Sequence, residues 1–215
     1  MNLTYNTTTI FPTIIHQFDI GGFEQIKEQL IDYSYNLKKK DTAGTKLSNH
    51  GGWQSTTFPV TNKEDVLQSL LINCISKFST ISESVNITIS AWVNINKTGD
   101  YNVRHIHPDC DLSGVLWIKC SPNSGAIRFF SPFEFQDYNS IKSYTEDFKN
   151  ENNFDQIFDV TPTEGKIIIF PSHLHHLVKE NKSNDDRISV SFNLKLNKDI
   201  GTIVSSFLSS NIRGM

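Results

Sequence analysis

The sequence is short of sulfur, of apolar runs and of excess charge, and each shortage removes a class of protein. Its three cysteines, Cys74, Cys110 and Cys120, form no CxxC pair. An odd, scattered set argues against a disulfide framework or a zinc knuckle and fits a reducing compartment, so a cytoplasmic location is expected. No apolar stretch approaches the roughly 20 residues that span a bilayer, and no membrane attachment is expected. The opening MNLTYNTTTIF has neither a basic segment nor an apolar core, so no signal peptide is expected. Lysine and arginine number 20 against 23 aspartates and glutamates, a formal net charge of −3. That balance argues against a nucleic-acid binder held by phosphate contacts, yet leaves room for a small acidic ligand met by one or two local charges. Repeats, low-complexity tracts and linkers are also missing. A chain of 215 residues is then expected to form one domain over 1–215, with helical support in 1–84 and a strand-rich core in 85–196. A homodimer stays open.

Periodicity orders what is there. Residues 8–20 alternate loosely and read as one or two short strands, ended by Gly21-Gly22. Phe23, Ile26, Leu30, Tyr33 and Leu37 recur at helical spacing, with Lys38, Lys39 and Lys40 where cations favour a helix C-terminus. Residues 41–58 read as loop. Asn62 is the expected N-cap of a helix over 63–79, whose apolar stripe includes Cys74 as an inert buried thiol. From Val85 to Asn96 the period becomes 2 over 12 residues, a strand. Further strands are expected near 113–119, 126–130, 157–160, 165–171 and 187–196. Residues 131–155 read as a long loop, and long loops are often lids. Two helices followed by many short antiparallel strands indicate an α+β fold, most simply a jelly roll or double-stranded barrel.

One stretch stands apart, DYNVRHIHPDCDLSGVLWI, from Asp100 to Ile118. In an extended segment residues i, i+2 and i+4 share a face, so His105, His107 and Asp109 can converge. Imidazoles and a carboxylate on one side of a site, with open positions opposite, suit non-haem Fe(II). A further ligand is available in FPSHLHHLV, where His173, His175 and His176 follow an apolar strand. Beyond it, Arg187, Ser189, Ser191 and Asn193 occupy one face of a strand, and Ile188, Val190, Phe192 and Leu194 the other. An arginine on an inward face offers a planar fork matched to a carboxylate.

Taken together, GDYNVRHIHPDCDLSGVLWI, GKIIIFPSHLHHLVKEN and RISVSFN resemble the 2-oxoglutarate/Fe(II) oxygenases of bacteria and of phages of aquatic bacteria. The resemblance runs from about Ser90 to Leu196, and GGWQS at Gly51–Ser55 belongs to it. It implies a double-stranded β-helix with the N-terminal helices packed on the sheet. It places the late metal ligand at His176, the cosubstrate arginine at Arg187, 11 residues on, and its serine partner at Ser189. The superfamily's HxD would use His107 and Asp109; relatives that keep both histidines of HxHP favour His105 and His107, with Asp109 as the alternative ligand. Tryptophan is more usual at His173. Aromatic residues are more usual in the strand expected to line the pocket around Leu116 and Trp117, and Leu116 cannot donate the hydrogen bond a tyrosine would. The implied activity is that of a dioxygenase using Fe(II), 2-oxoglutarate and O2, releasing succinate and CO2 and hydroxylating a substrate the sequence does not reveal. The alternative is a cupin-like jelly-roll binding or structural module without turnover.

Overall fold

The computed structural model describes residues 12–77, 85–132, 143–151 and 156–198. Its longest strands are those with the cleanest alternation, β5 (Val85–Asn96) and β12 (Arg187–Lys198). They pair antiparallel over their full length, from Val85 opposite Lys198 to Asn96 opposite Arg187. They form the middle of a seven-stranded sheet in the order β1 (His16–Asp19), β10 (Lys166–Pro171), β7 (Leu112–Lys119), β12, β5, β3 (Trp53–Gln54). A further strand, β4 (Phe58–Pro59), also pairs with β5. The second sheet has five strands, β2 (Asn49–His50), β6 (Tyr101–His105), β11 (His176–Val178), β8 (Ile127–Phe130) and β9 (Ile157–Val160). This is the expected double-stranded β-helix.

Each central strand of the large sheet separates two environments. Val93, Ile95, Leu116, Ile167, Ile169, Val190 and Phe192 face one core, together with Leu30 of α1 (Glu24–Lys40) and Leu67 and Leu71 of α2 (Val66–Ser76). Both helices therefore pack on the outer face of this sheet. Burying each such side chain stabilises the fold by about 1.5–3 kcal/mol. Val115, Trp117, Ile168 and Phe170 point the other way and meet Ile127, Phe129 and Val160 of the small sheet. The inter-sheet space is apolar at that end and polar where β5 and β12 face it. Among the described residues no helix is long and apolar enough to cross a membrane.

Several local expectations are corrected. Residues 41–58 contain three two-residue strands, β2, β3 and β4. Helix α2 begins later than expected: its N-cap is Asp65, whose carboxylate accepts from the Gln68 amide at 2.9 Å. Asn62 instead accepts from the Glu64 amide at 2.9 Å, closing a turn before the helix. Positions 78 and 79 of the expected helix, and the first part of the expected 8–20 strand, lie outside the described residues. The expected long loop of 131–155 contains a short helix, α3 (Glu146–Glu151). Positions 133–142 and 152–155 of that stretch, with the lid reading that rests on them, also lie outside the described residues. Leu116 faces the helices and not the pocket; its neighbour Trp117 is the pocket residue. Alternation along β7 makes the two mutually exclusive.

Candidate metal centre and ligand cavity

Three elements of the small sheet and its loops bring three histidines together. His105 ends β6 and lies opposite His176, the first residue of β11. His107 sits two residues past the end of β6, held by its backbone amide donating to the Ser172 carbonyl at 3.0 Å. One ligating atom from each of His105, His107 and His176 lies within 4.8 Å of the others. The Nε2 atoms of His107 and His176 are 3.2 Å apart. Two imidazole nitrogens bound at right angles to one ion, each roughly 2.1 Å from it, would lie about 3 Å apart, so this spacing fits a shared metal.

Hydrogen bonding fixes which nitrogens face inward. His105 Nδ1 lies 2.7 Å from the Val103 carbonyl, and His176 Nδ1 lies 2.9 Å from the Leu174 carbonyl. A carbonyl only accepts, so each Nδ1 carries the proton and each neutral ring offers its Nε2 lone pair. Burial holds these rings neutral. His176 is pushed down to about 3 by desolvation first and then by the neighbouring His105, while its bond to Leu174 opposes the shift. His107 is pushed down to about 4 by the same two causes in the same order. His105 is lowered by burial, against its bond to Val103. Neutral imidazole is the form that binds a metal.

Asp109 is not part of this cluster. Strand β6 ends at His105 and a turn follows at positions 108 and 109, where Asp109 is exposed in the left-handed region at φ 65°. Its i+4 relation to His105 therefore never acts as strand spacing. His173 and His175 are exposed, on the turn before β11. His176 alone of the three late histidines is buried, at 3% exposure.

The histidines open onto a cavity of about 400 Å³ between the sheets. Arg187 and Ser189 of β12 line it, and so do Trp92, Asn94, Asn96, Gln54 and Trp117. Arg187 is 1% exposed, and among the described residues no carboxylate forms an ion pair with it. Its Nη1 donates to the carbonyls of Ser124, Gly125 and Lys179, the last two at 3.2 and 3.3 Å. Desolvation pushes it down to about 10, with the charge of Asp100 opposing. It therefore stays protonated at neutral pH. Gly125 makes this cradle possible. At φ 94° it adopts a conformation glycine tolerates, and a Cβ there would come within 2.7 Å of Arg187 Nη1. The lining thus includes three neutral nitrogen donors and a buried cation, and among the described residues no carboxylate lines the cavity.

Gln54, Asn94, Asn96 and Trp92 were not foreseen as cavity residues. In the sequence the polar positions of β5 look like an ordinary solvated strand face. The available signal was the pairing of that strand with the Arg187 strand, which puts both polar faces on one side of the sheet.

Residues 90–193 match the family model described as "Putative 2OG-Fe(II) oxygenase". A comparison with curated sequences gave no match. Among solved structures, a prolyl-4-hydroxylase from Pseudomonas putida superposes with a TM-score of 0.60 at 13% identity, covering 85% of this chain and 92% of that one. The non-haem α-ketoglutarate-dependent carbocyclase SnoK of nogalamycin biosynthesis gives 0.59 at 9% identity, over 87% of this chain and 81% of its own. A prolyl hydroxylase from Trichoplax adhaerens, solved with a fragment of a hypoxia-inducible factor, gives 0.57 at 13% identity, over 84% and 83%. At such identities these likenesses concern the fold.

Proposed function

We propose that this chain, whose residues 90–193 match the 2OG-Fe(II) oxygenase model, works as a member of that family. It is a 2-oxoglutarate-dependent Fe(II) dioxygenase, and the Nε2 atoms of His105, His107 and His176 would hold the metal. The observation that carries this reading is the shared cavity, lined by three convergent, neutral imidazoles and by a buried Arg187 that has no ion pair among the described residues. Bound Fe(II) and 2-oxoglutarate supply the oxidative chemistry, in which O2 is consumed, the cosubstrate is cleaved to succinate and CO2, and one oxygen atom enters the prime substrate.

The protein's own part is binding, orientation and exclusion of water. The Nδ1–H bonds to Val103 and Leu174 fix the rings of His105 and His176 with their lone pairs inward. Carbonyls of Ser124, Gly125 and Lys179 fix the plane of the Arg187 guanidinium through Nη1. Its Nε and Nη2 bond to no described residue, which leaves two donors for the far carboxylate of the cosubstrate. The Ser189 hydroxyl, next on the same face of β12, would add a third. Trp117, Ile127 and Val178 line the cavity with apolar surface and keep the space between the two polar ends dry. A diacid has a second carboxylate to offer Arg187 while its other end meets the histidines, and a monoacid such as pyruvate has none.

This chain is further proposed to work as one domain, since the helices and the large sheet share a core. Cytoplasmic location is proposed from its three free cysteines. Succinate release from 2-oxoglutarate, with Fe(II) and ascorbate and without added prime substrate, tests the activity. Slow formation of succinate that disappears in His176→Ala is the expected result. Formation that persists unchanged in that variant would contradict the assigned centre.

A further inference from the structure

Where the cavity meets solvent, its lining carries no charge. Four of the lining residues are exposed, Leu47, Thr57, Ile106 and Pro108, and the others are buried or half-buried. Three of the four belong to two loops that hydrogen bonding holds together. The Val103 amide donates to the Ser48 carbonyl at 2.9 Å, and Asn49 lies opposite Asn102 where β2 pairs with β6. Both loops stand beside the metal centre. Ile106 lies between His105 and His107, Pro108 follows His107, and the hydroxyl of Ser48, next to Leu47, is 3.5 Å from His105 Nε2. Thr57 precedes β4, whose Phe58 lies opposite Ala91, the neighbour of Trp92. The Trp92 ring is centred 5.7 Å from that of His107, so apolar surface runs from the mouth to the centre.

Leu47 is 76% exposed and Ile106 39%, and with Val103 they are three of the eight large apolar side chains exposed among the described residues. A lone exposed leucine needs no explanation, but a cluster at the mouth of a cavity marks a binding surface. With the histidines neutral, Arg187 is the one charged side chain of the lining, and it is buried. Lys46 and Asp109, the next residues along the two loops, do not line the cavity. Arg104 is engaged elsewhere, its guanidinium 4.2 Å from the centre of the Phe130 ring. The charges of Fe(II) and of the two carboxylates of 2-oxoglutarate cancel. A charged group brought into this mouth would lose water and find no partner, which is costly. An apolar group gains from the same move.

We propose that the prime substrate is an uncharged, largely apolar molecule, received at the mouth by Leu47 and Ile106 as its specificity-determining residues. The inference rests on the oxygenase reading above. Under that reading the cosubstrate takes the part of the cavity where Arg187 and Ser189 are buried, and the prime substrate reaches the centre through the mouth. Covering Leu47 and Ile106 supplies affinity, and Trp92 offers a flat apolar wall for the part that enters. A cavity of about 400 Å³ is near the lower end of ligand pockets, which run from roughly 300 to 1,000 Å³. With the cosubstrate inside, it admits only a small part of the substrate, and the rest lies over the exposed rim.

The test is anaerobic proton NMR of the protein loaded with Fe(II) and saturating 2-oxoglutarate. Three probes share a branched aliphatic body: 4-methylpentanamide, 4-methylpentanoate and 4-methylpentylammonium. Iron broadens the methyl signals of a probe seated beside it, and the Zn(II)-loaded protein gives the diamagnetic reference. The amide should be broadened, and should bind at least about tenfold more tightly than either charged probe. Leu47→Ala and Ile106→Ala should each weaken the amide by about threefold to thirtyfold. Ile14→Ala, which removes an exposed isoleucine outside the lining, should change nothing. Leu47→Asp should turn the preference toward the ammonium probe. A charged probe bound as well as the amide, an amide left unbroadened, or an amide affinity untouched by both alanine variants would overturn this inference alone. The charge-transfer band of 2-oxoglutarate, recorded in each sample before the probe is added, reports the oxygenase reading separately. Leu47→Ala should keep that band, and a wild-type protein without it would overturn both.

Discussion

At the scale of the residue, the centre turns on which histidines converge. His176 is buried against His105 and His107, whereas His173 and His175 are exposed. After anaerobic reconstitution, His176→Ala and His107→Ala should each lose most of their iron, because a site with two of three protein ligands is a poor one. His173→Ala should retain iron near the wild-type stoichiometry. Among the first histidines, His105→Ala should be as deficient as His107→Ala, and Asp109→Ala should bind iron normally, since the aspartate sits on an exposed left-handed turn. Full iron occupancy in His105→Ala with none in Asp109→Ala would restore the HxD arrangement and require the loop after β6 to rearrange. The spacing of His105, His107 and Asp109 singles out this stretch but cannot distinguish these outcomes. Period-2 reasoning holds only while the strand lasts, and here it ends at His105.

At the scale of the element, legibility followed the number of rungs. Strand β5 was readable in full, because its 12 residues alternate: Ile87, Ile89, Ala91, Val93 and Ile95 join the helix-side core, while on the other face Asn86 and Thr88 are exposed and Trp92, Asn94 and Asn96 line the cavity. The strands β2, β3 and β4 were not, because two residues carry no period. Only a neighbour already in place makes them strands, as β5 does for β3. The start of α2 was missed for a different reason. Asn62 and Asp65 are both good caps three residues apart, and propensity cannot choose between them. The structure chooses Asp65, so Asp65→Ala should lower unfolding free energy by about 1 kcal/mol. Urea denaturation should show a smaller effect for Asn62→Ala. The reverse ranking would place the helix start where the sequence alone put it. The cavity face of β5 was hidden for yet another reason. Asparagines alternating with aliphatics look the same whether the polar side meets water or a ligand, and only the partner strand tells them apart.

At the scale of the whole molecule, the histidine cluster couples the site to stability. His107 and His176 are held at about 4 and about 3 in the folded protein, against roughly 6.5 in an unfolded chain. Below pH about 6.5 the unfolded state therefore binds more protons than the folded one, and stability falls as pH drops, until the folded-state values are passed. Above that pH these two groups add no dependence. Metal-free protein should lose melting temperature between about pH 6.5 and pH 4.5, and a His107→Gln, His176→Gln double variant should lose less over the same interval. Identical slopes would mean that the rings are not buried neutral. Loading Fe(II) at neutral pH should raise the melting temperature, because the ion binds the assembled cluster and not the separated histidines of the unfolded chain. The central claim is that the cluster and Arg187, which line one cavity, hold one ligand between them. Anaerobic titration of 2-oxoglutarate into the Fe(II) protein, followed by the metal-to-ligand charge-transfer band, reads both ends at once. Wild type should develop the band. Arg187→Ala should need about tenfold to a thousandfold more 2-oxoglutarate, from the loss of charge-assisted hydrogen bonds worth roughly 1.5–3 kcal/mol each, and Arg187→Lys should recover only part of it. An unchanged titration in Arg187→Ala, or no band in wild type, would contradict the claim.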